Sequence, residues 1–254
     1  MNLTYWQLLS GNRDFRNLWW GQIVSELGNW FNFIAGLGLV RMVSHASPEA
    51  AGILFIARLI PFAVFSPIAG TFVDRFSRRQ VMIWSDLVRV IVALAFLLVT
   101  SEENLWIAYL ATILLSTFGA FFEGAKNAAT PNMTGKNGLL AGTALMFSTR
   151  FLLMAIGSAL GGFAAAFFGY QVAFIINAAS FAISAFSVWL IPEEATRDDE
   201  TAKRMSDKTE RESFFSELKE GFQYTVQNHF AFYFENDIGI LNLEKLPKAK
   251  QIFF

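Results

Sequence analysis

Three ionisable residues, Glu26, Arg58 and Arg150, lie deep inside long apolar stretches of the sequence. At about 1.5 Å of helix per residue, each lies roughly 12 to 16 Å from the nearest polar break. An ionised side chain is costly in an apolar medium, so its presence there calls for a reason. The chemistry that such groups offer is proton uptake and release by the carboxylate, together with contacts to a polar substrate.

A polar stripe surrounds Glu26 at helical spacing. Its members recur every three or four residues and therefore share one helix face: Gln22, Ser25, Glu26, Asn29 and Asn32. We interpret a subset of these residues, together with the two arginines, as the lining of a cavity that handles substrate or protons: Gln22, Glu26, Asn29, Arg58 and Arg150. The alternative is a structural ion-pair network that only fixes the packing of the helices.

Other kinds of chemistry find little support. The chain has no cysteine, and its two histidines, His45 and His229, lie too far apart in sequence to suggest a metal site. We predict no metal and no cofactor. Paired catalytic carboxylates, a histidine cluster and a Ser–His arrangement are not visible, so we do not expect an enzyme. The near-neutral charge of −1 and the lack of a broadly basic surface argue against nucleic acid as a partner.

The elements that must position these residues are membrane helices. Of the 254 residues, 54% are hydrophobic, and the first 192 residues carry only 19 of the 41 charged side chains. That is about 10% charged, whereas soluble domains have about 25%. Six stretches reach the roughly 20 residues that cross a bilayer: Leu18–Val43, Ala50–Phe72, Val81–Thr100, Leu105–Ala125, Leu139–Phe168 and Val172–Ile191. Short polar breaks separate them, the longest being Lys126–Gly138.

The loop charges predict the orientation of the chain. If the spans alternate in direction, one side carries Arg13, Arg16, Arg75, Arg78, Arg79, Lys126 and Lys136, and the other carries Arg41. Positive loops stay on the cytoplasmic side. We therefore expect a multi-pass protein of the cell membrane with a cytoplasmic N-terminus and a cytoplasmic segment after the sixth span.

The loop between the second and third spans carries the most specific motif, Gly70-Thr-Phe-Val-Asp74-Arg75-Phe-Ser77-Arg78-Arg79-Gln80. It resembles the loop signature of the major facilitator superfamily at Gly70, Asp74, Arg75, Arg78 and Arg79. It departs at Ser77, where the family usually has glycine, so the turn is expected to be strained or differently shaped. Further stretches, such as Trp84–Arg89 and Phe121–Pro131, are similar to an enterobactin-exporter-like and macrolide-efflux-like branch.

The resemblance runs from about Asn12 to Asn228 and implies an all-α membrane fold. Its expected form is a six-helix bundle, one half of the superfamily fold with a 3+3 inverted repeat. The resemblance also implies a conformational latch that closes and releases during alternating access. We assign to the latch Gly70, Asp74, Arg75, Arg78, Arg79, Asp86, Arg89 and Glu123. Within the latch we expect Glu123 to pair with Arg78 from another span. We also expect Asp86 to pair with Arg89, because these two residues lie one turn apart on a single helix.

Helix packing is the role that we expect for Gly157, Gly161 and Gly162, because small residues four apart permit close approach of two backbones. The polar face of the sixth span, which contains Asn177, Ser180, Ser184 and Ser187, is interpreted as hydrogen bonding between helices rather than as substrate contact.

The sequence divides into three regions. We expect residues 1–192 to form the six-helix bundle and 193–228 a charged cytoplasmic linker. The linker contains an amphipathic helix at Ser213–Asn228, whose alternative is a membrane anchor lying on the surface. Residues 229–254 form a tail with no fold signal, for which a non-native origin is one interpretation. Since carriers of this superfamily have two six-helix halves, we expect a truncated or split product.

The function that we expect is secondary transport: efflux of a small amphiphilic molecule of the drug, macrolide or siderophore class, driven by proton antiport with Glu26 as the proton site. Its partners would be the lipid bilayer, the substrate, protons and a second half or second copy. The alternative is a transport-inactive membrane fragment, or a half-carrier that needs a partner.

Overall fold

The computed structural model describes residues 3–73 and 75–197, and these residues fold as a bundle of helices. After the short helix α1 (Tyr5–Gly11) come α2 (Arg13–Val43), α3 (Pro48–Val73), α4 (Arg78–Ala95), α5 (Leu105–Phe168) and α6 (Tyr170–Trp189). Short 3₁₀ turns cover Phe96–Leu98, Glu102–Asn104 and Glu193–Thr196. Three of the predicted features lie outside the described residues: Asp74, the amphipathic helix Ser213–Asn228 and the tail 229–254.

The six predicted spans are present as six membrane-crossing segments, although α5 contains two of them. Within residues 3–73 and 75–197, five helices are long and apolar enough to cross a membrane, and the longest of them, α5, has 64 residues. It turns back at Gly135, which has φ 62° and ψ 175°, outside the helical region. Glu123 and Arg150 are 27 residues apart, about 40 Å in a straight helix. Their side chains meet at 3.2 Å, so the two segments, 105–134 and 136–168, run antiparallel.

The predicted break at Lys126–Gly138 is wrong in extent, because helix continues through it as far as Thr134. Ala125, Ala129 and Met133 recur every four residues and are buried along this stretch. Buried small and apolar residues thus stabilise the helix where polar neighbours suggested a loop. Only Gly135 departs from helical geometry, in a left-handed conformation that glycine adopts without the steric cost of a Cβ.

Two apolar clusters fill the interior of the bundle. One contains Phe31, Leu39, Leu54, Phe96 and Phe174, and the other, toward the predicted cytoplasmic end, contains Leu8, Phe15, Leu18, Met82 and Ile191. Between them along each helix lies a layer of polar and charged side chains. The helices that cross this layer are held by close packing, in which α2 contacts α5 and α6, and α3 contacts α5.

The outward faces of the bundle are apolar. On α3 the exposed side chains include Phe55, Ile56 and Ile60, and on segment 136–168 they include Phe151 and Leu160. A helix satisfies its own backbone hydrogen bonds, so such faces can meet hydrocarbon without an unpaired polar group.

The start of the predicted linker is packed rather than solvated. Ile191 and Thr196 are fully buried, and the Thr196 carbonyl accepts hydrogen bonds from Arg78 and Asn132 at 3.2 Å each. The first charged residues of the predicted linker are thus part of an anchored turn, in which Glu193 also forms an ion pair with Arg197.

Candidate functional site

A cavity of about 360 Å³ lies in the polar layer between the two apolar clusters. This volume falls at the lower end of the range typical of small-molecule sites. Side chains from α2, α3, α4 and both segments of α5 line it, and all five residues predicted for the cavity are among them: Gln22, Glu26, Asn29, Arg58 and Arg150. Arg58 and Arg150 thus lie on two further helices that face the same space as the α2 stripe.

The polar stripe of α2 faces this cavity as a unit. Ser25 and Asn32 line it together with the three predicted residues of the same helix. Two of these side chains are held in place: Gln22 Nε2 donates to the carbonyl of Met146 at 3.2 Å, and Ser25 Oγ donates to the carbonyl of Gln22 at 3.3 Å. Gln22 Oε1 and Asn32 Oδ1 are buried without a hydrogen-bond partner among the described residues, so this wall retains unused acceptors.

A chain of ion pairs crosses the cavity wall. The Glu26 carboxylate lies 3.5 Å from Arg150 Nε, Arg150 Nη1 lies 3.2 Å from Glu123, and the other Glu123 oxygen lies 2.8 Å from Lys126 Nζ. The turn at Gly135 brings Arg150 beside Glu123, and α2 packs against both segments. The two contacts of Glu123 are charged hydrogen bonds, which are stronger than neutral ones.

The expected pair between Arg78 and Glu123 is wrong. Both oxygens of Glu123 are engaged by Lys126 and Arg150, in the cavity layer. Arg78 instead donates to the carbonyls of Ala128 and Thr196 at 3.0 and 3.2 Å, and Ala128 lies more than one helical turn beyond Glu123, toward the predicted cytoplasmic end of segment 105–134. One helical turn of depth therefore separates the two groups that the sequence placed together.

Arg58 is held differently from Arg150. Its guanidinium carbon lies 4.4 Å from the ring centroid of Phe33 and 5.1 Å from that of Trp30, within the range of cation–π attraction. Within residues 3–73 and 75–197 no carboxylate lies within 4.0 Å of this guanidinium, so the predicted three-membered network of Glu26, Arg58 and Arg150 is reduced to the pair of Glu26 with Arg150.

Asp86 and Arg89 form the expected ion pair along α4, with Oδ1 and Nη1 2.9 Å apart. The pair lies in the polar layer instead of at the loop. Asp86 is fully buried, while Arg89 reaches the cavity and places its guanidinium carbon 3.8 Å from the ring centroid of Phe181 on α6. The aromatic face and the carboxylate together offset the cost of burying this cation.

The motif loop is tied to the rest of the bundle by its arginines. Arg79 Nη2 donates to the carbonyl of Trp189 at 2.5 Å, which joins the start of α4 to the end of α6. Of the other motif residues, Gly70 lies in the last turn of α3 and Arg75 in the turn that follows, whereas Asp74 lies outside the described residues. Ser77 has φ −61° and accepts from the amide of Gln80 at 3.5 Å, so serine fits this position without backbone strain and caps α4.

Gly157 and Gly161 lie where segment 136–168 crosses α2. A Cβ at Gly157 would lie 2.8 Å from Cβ of Trp30, and one at Gly161 would lie 2.9 Å from the backbone of Phe31. Gly162 has more room, with its nearest atom on Ile34 at 3.8 Å. The first two glycines therefore allow an approach of the two helices that any larger residue would prevent.

Sequence reasoning missed several residues of the site. Trp30 and Phe33 line the cavity beside the polar stripe, and Thr112 and Ser116 line it from segment 105–134. It also missed Gly28, which packs against Ser180 of α6 more tightly than a larger residue would allow. A signal was available for the aromatic pair, because Trp30 and Phe33 are three residues apart and follow Asn29 and Asn32 directly.

Comparison with known proteins identifies a family. The sequence profile of the Major Facilitator Superfamily matches residues 18–235. The match runs slightly past Asn228, where the resemblance was expected to end. No solved structure matches the chain significantly.

The relatives are bacterial transport proteins. An uncharacterized MFS-type transporter of Bacillus subtilis, YfiS, is 26% identical over 217 residues, which cover 85% of this chain and 50% of the relative. Multidrug resistance protein 2 of the same organism is 29% identical, over 76% of this chain and 49% of the relative. Macrolide efflux protein A of Streptococcus pyogenes is 30% identical over 46% of the chain and 29% of that protein. The chain spans about half the length of the first two relatives.

Proposed function

The chain belongs to the Major Facilitator Superfamily, and from this premise we propose that it forms the cavity-bearing bundle of a secondary exporter of small amphiphilic molecules. The observation that carries the proposal is the charged cavity enclosed by apolar helix faces. Burying charged side chains inside a membrane bundle is costly, so their presence there indicates a passage or a binding site. Relatives named for multidrug resistance and for macrolide efflux support export as the direction.

Proton antiport is the proposed driving force, with Glu26 as the proton site. Its carboxylate lines the cavity and is paired with Arg150, so protonation would release the arginine and change the charge of the wall. Substrate and proton would then compete for the same charged layer, which is the coupling that an antiporter needs.

The motif loop is the proposed latch. Gly70, Asp74, Arg75, Arg78 and Arg79 would hold the cytoplasmic side closed in one state and release it in the other, with Asp86, Arg89 and Glu123 extending the latch into the polar layer. Support comes from Arg78 and Arg79, which already bind carbonyls on α5 and at the end of α6. We place the protein in the cell membrane with its N-terminus and linker in the cytoplasm.

Transport by this chain is tested in energised everted membrane vesicles, with ethidium, erythromycin and 2-naphthoate as probes. We expect uptake of at least one probe above that of vesicles without the protein, and its loss when nigericin collapses the pH gradient. The matched variants are Glu26→Gln, which should lose proton-driven uptake at least about 10-fold at equal membrane levels, and Glu103→Gln, an exposed carboxylate that should leave it unchanged. Unaltered coupling in Glu26→Gln would remove Glu26 as the proton site.

A second candidate is a half-carrier that transports only with another six-helix bundle, either a second copy or a separate chain. It is favoured by the apolar outward face of α3, which a second bundle could cover. Uptake that appears only when a second bundle is co-expressed would establish this candidate over the first.

A further inference from the structure

The cavity carries more positive than negative charge. Among the described residues its lining includes three arginines and two glutamates: Arg58, Arg89, Arg150, Glu26 and Glu123. The two further charges that contact this lining, Lys126 and Asp86, are of opposite sign and leave the balance unchanged. In a low-dielectric layer a net charge is costly, so a bound ligand of opposite charge would gain more here than in water.

The carboxylates of the lining are largely covered, whereas one of its arginines, Arg150, is open to the cavity. The Glu26 side chain is 8% exposed and contacts Arg150, and the Glu123 side chain is 17% exposed with both oxygens engaged. The Arg150 side chain is 39% exposed. A ligand that enters the cavity therefore meets the Arg150 guanidinium before it meets a free carboxylate, and a cationic ligand would have to displace Arg150 from Glu26.

Arg58 is the cation best placed to receive an anion. Its guanidinium stacks on Trp30 and Phe33, and in the described part of the chain no carboxylate lies within 4.0 Å of it to form an ion pair. The indole Nε1–H of Trp30 is buried and has no hydrogen-bond acceptor among the described residues. A fixed cation, a spare N–H donor and two aromatic faces thus meet at one wall of the cavity.

We propose that the cavity selects organic anions with an aromatic or apolar body, and that Arg58 binds their carboxylate or sulfonate group. The proposal rests on the transport function proposed above and narrows its substrate class. The guanidinium presents a planar set of donors to the anion, and the aromatic rings pack against the body of the ligand. A single negative charge on the ligand would offset the excess positive charge of the lining.

The test uses three probes on one scaffold: 2-naphthoate, neutral 2-naphthalenemethanol and cationic 2-naphthylmethylammonium. Binding to the full chain in nanodiscs of zwitterionic lipid is measured by equilibrium dialysis against empty nanodiscs. We expect 2-naphthoate to bind at least about 10-fold more tightly than the ammonium probe, as a charged hydrogen bond implies. Arg58→Gln should remove this preference and leave the neutral probe within about twofold, Arg58→Lys should keep part of it, and Arg41→Gln, at an exposed arginine, should change nothing.

Equal binding of the anion and the cation, binding of no probe, or full anion preference in Arg58→Gln would each overturn the proposal. The outcome is separable from that of the transport assay. Anion-selective binding without uptake would retain this inference and contradict the autonomous carrier, whereas proton-driven uptake of ethidium without anion binding would do the reverse.

Discussion

At the scale of single residues, the buried charges of the polar layer contact an opposite charge or an aromatic ring. Asp86 is paired with Arg89, which also lies on the ring of Phe181, and Glu26 is paired with Arg150. The energetic value of such a pair lies mainly in the penalty for removing one member, because the other is then left charged in an apolar interior.

Arg89→Met is expected to lower the free energy of unfolding by about 3 kcal/mol, because it leaves Asp86 buried without its cation. Asp86→Leu combined with Arg89→Met should recover most of that loss, since no charge then remains unpaired. The measurement is reversible unfolding in mixed micelles of a mild detergent and SDS. A double variant as unstable as Arg89→Met would show that the pair does not act as a unit.

Helix packing, at the scale of elements, depends on where a Cβ can be accommodated. The face of segment 136–168 that meets α2 has no space at Gly161, whereas the neighbouring Gly162 has none of this crowding. Replacing glycine with alanine should therefore change the free energy of unfolding in different directions at these two adjacent positions.

Gly161→Ala is expected to destabilise the bundle by about 1–3 kcal/mol, because its Cβ would force α2 and segment 136–168 apart. Gly162→Ala should be neutral or stabilising by up to about 1 kcal/mol, the gain from alanine in a helix. Both free energies of unfolding are measured in the same micelles. Equal effects of the two variants would contradict close packing at Gly161.

The turn inside α5 offers a second comparison of glycines. Gly135 has φ 62° and open space around its Cβ position, so Gly135→Ala should cost about 1–2 kcal/mol from backbone strain alone. Gly52, in the exposed part of α3 and equally uncrowded, has ordinary helical geometry and should gain up to about 1 kcal/mol as alanine. A stabilised Gly135→Ala variant would mean that residue 135 is helical in the membrane.

At the scale of the molecule, the loop charges predict the direction in which the described bundle crosses the membrane. The chain contains no cysteine, so a single introduced cysteine can report the side of a loop without background. Glu103 and Lys136 are both exposed and lie at opposite ends of segment 105–134.

A membrane-impermeant maleimide should label Glu103→Cys in intact cells and Lys136→Cys only after the membrane is permeabilised. This result follows from the positive loops remaining in the cytoplasm. Labelling of Lys136→Cys in intact cells, with Glu103→Cys protected, would invert the predicted orientation and place the motif loop outside.

The sequence alone was sufficient for the fold class, the number of crossings and the polar face of α2. These features depend on hydrophobic runs and on helical spacing, which are local properties of the chain. The stripe from Gln22 to Asn32 follows from spacing alone, and the pairing of Asp86 with Arg89 follows from their position one turn apart on a single helix.

Only the tertiary structure decided which charges meet across helices. Glu123 pairs with Arg150 because α5 turns back at Gly135, a reversal fixed by one backbone conformation that no periodicity records. Arg58 lies on Trp30 and Phe33 instead of beside Glu26, and Arg78 donates to backbone carbonyls of Ala128 and Thr196, while Glu123 is paired with other cations. Ion-pair choice depends on distances of a few ångströms between separate elements, and those distances are determined by how the helices pack.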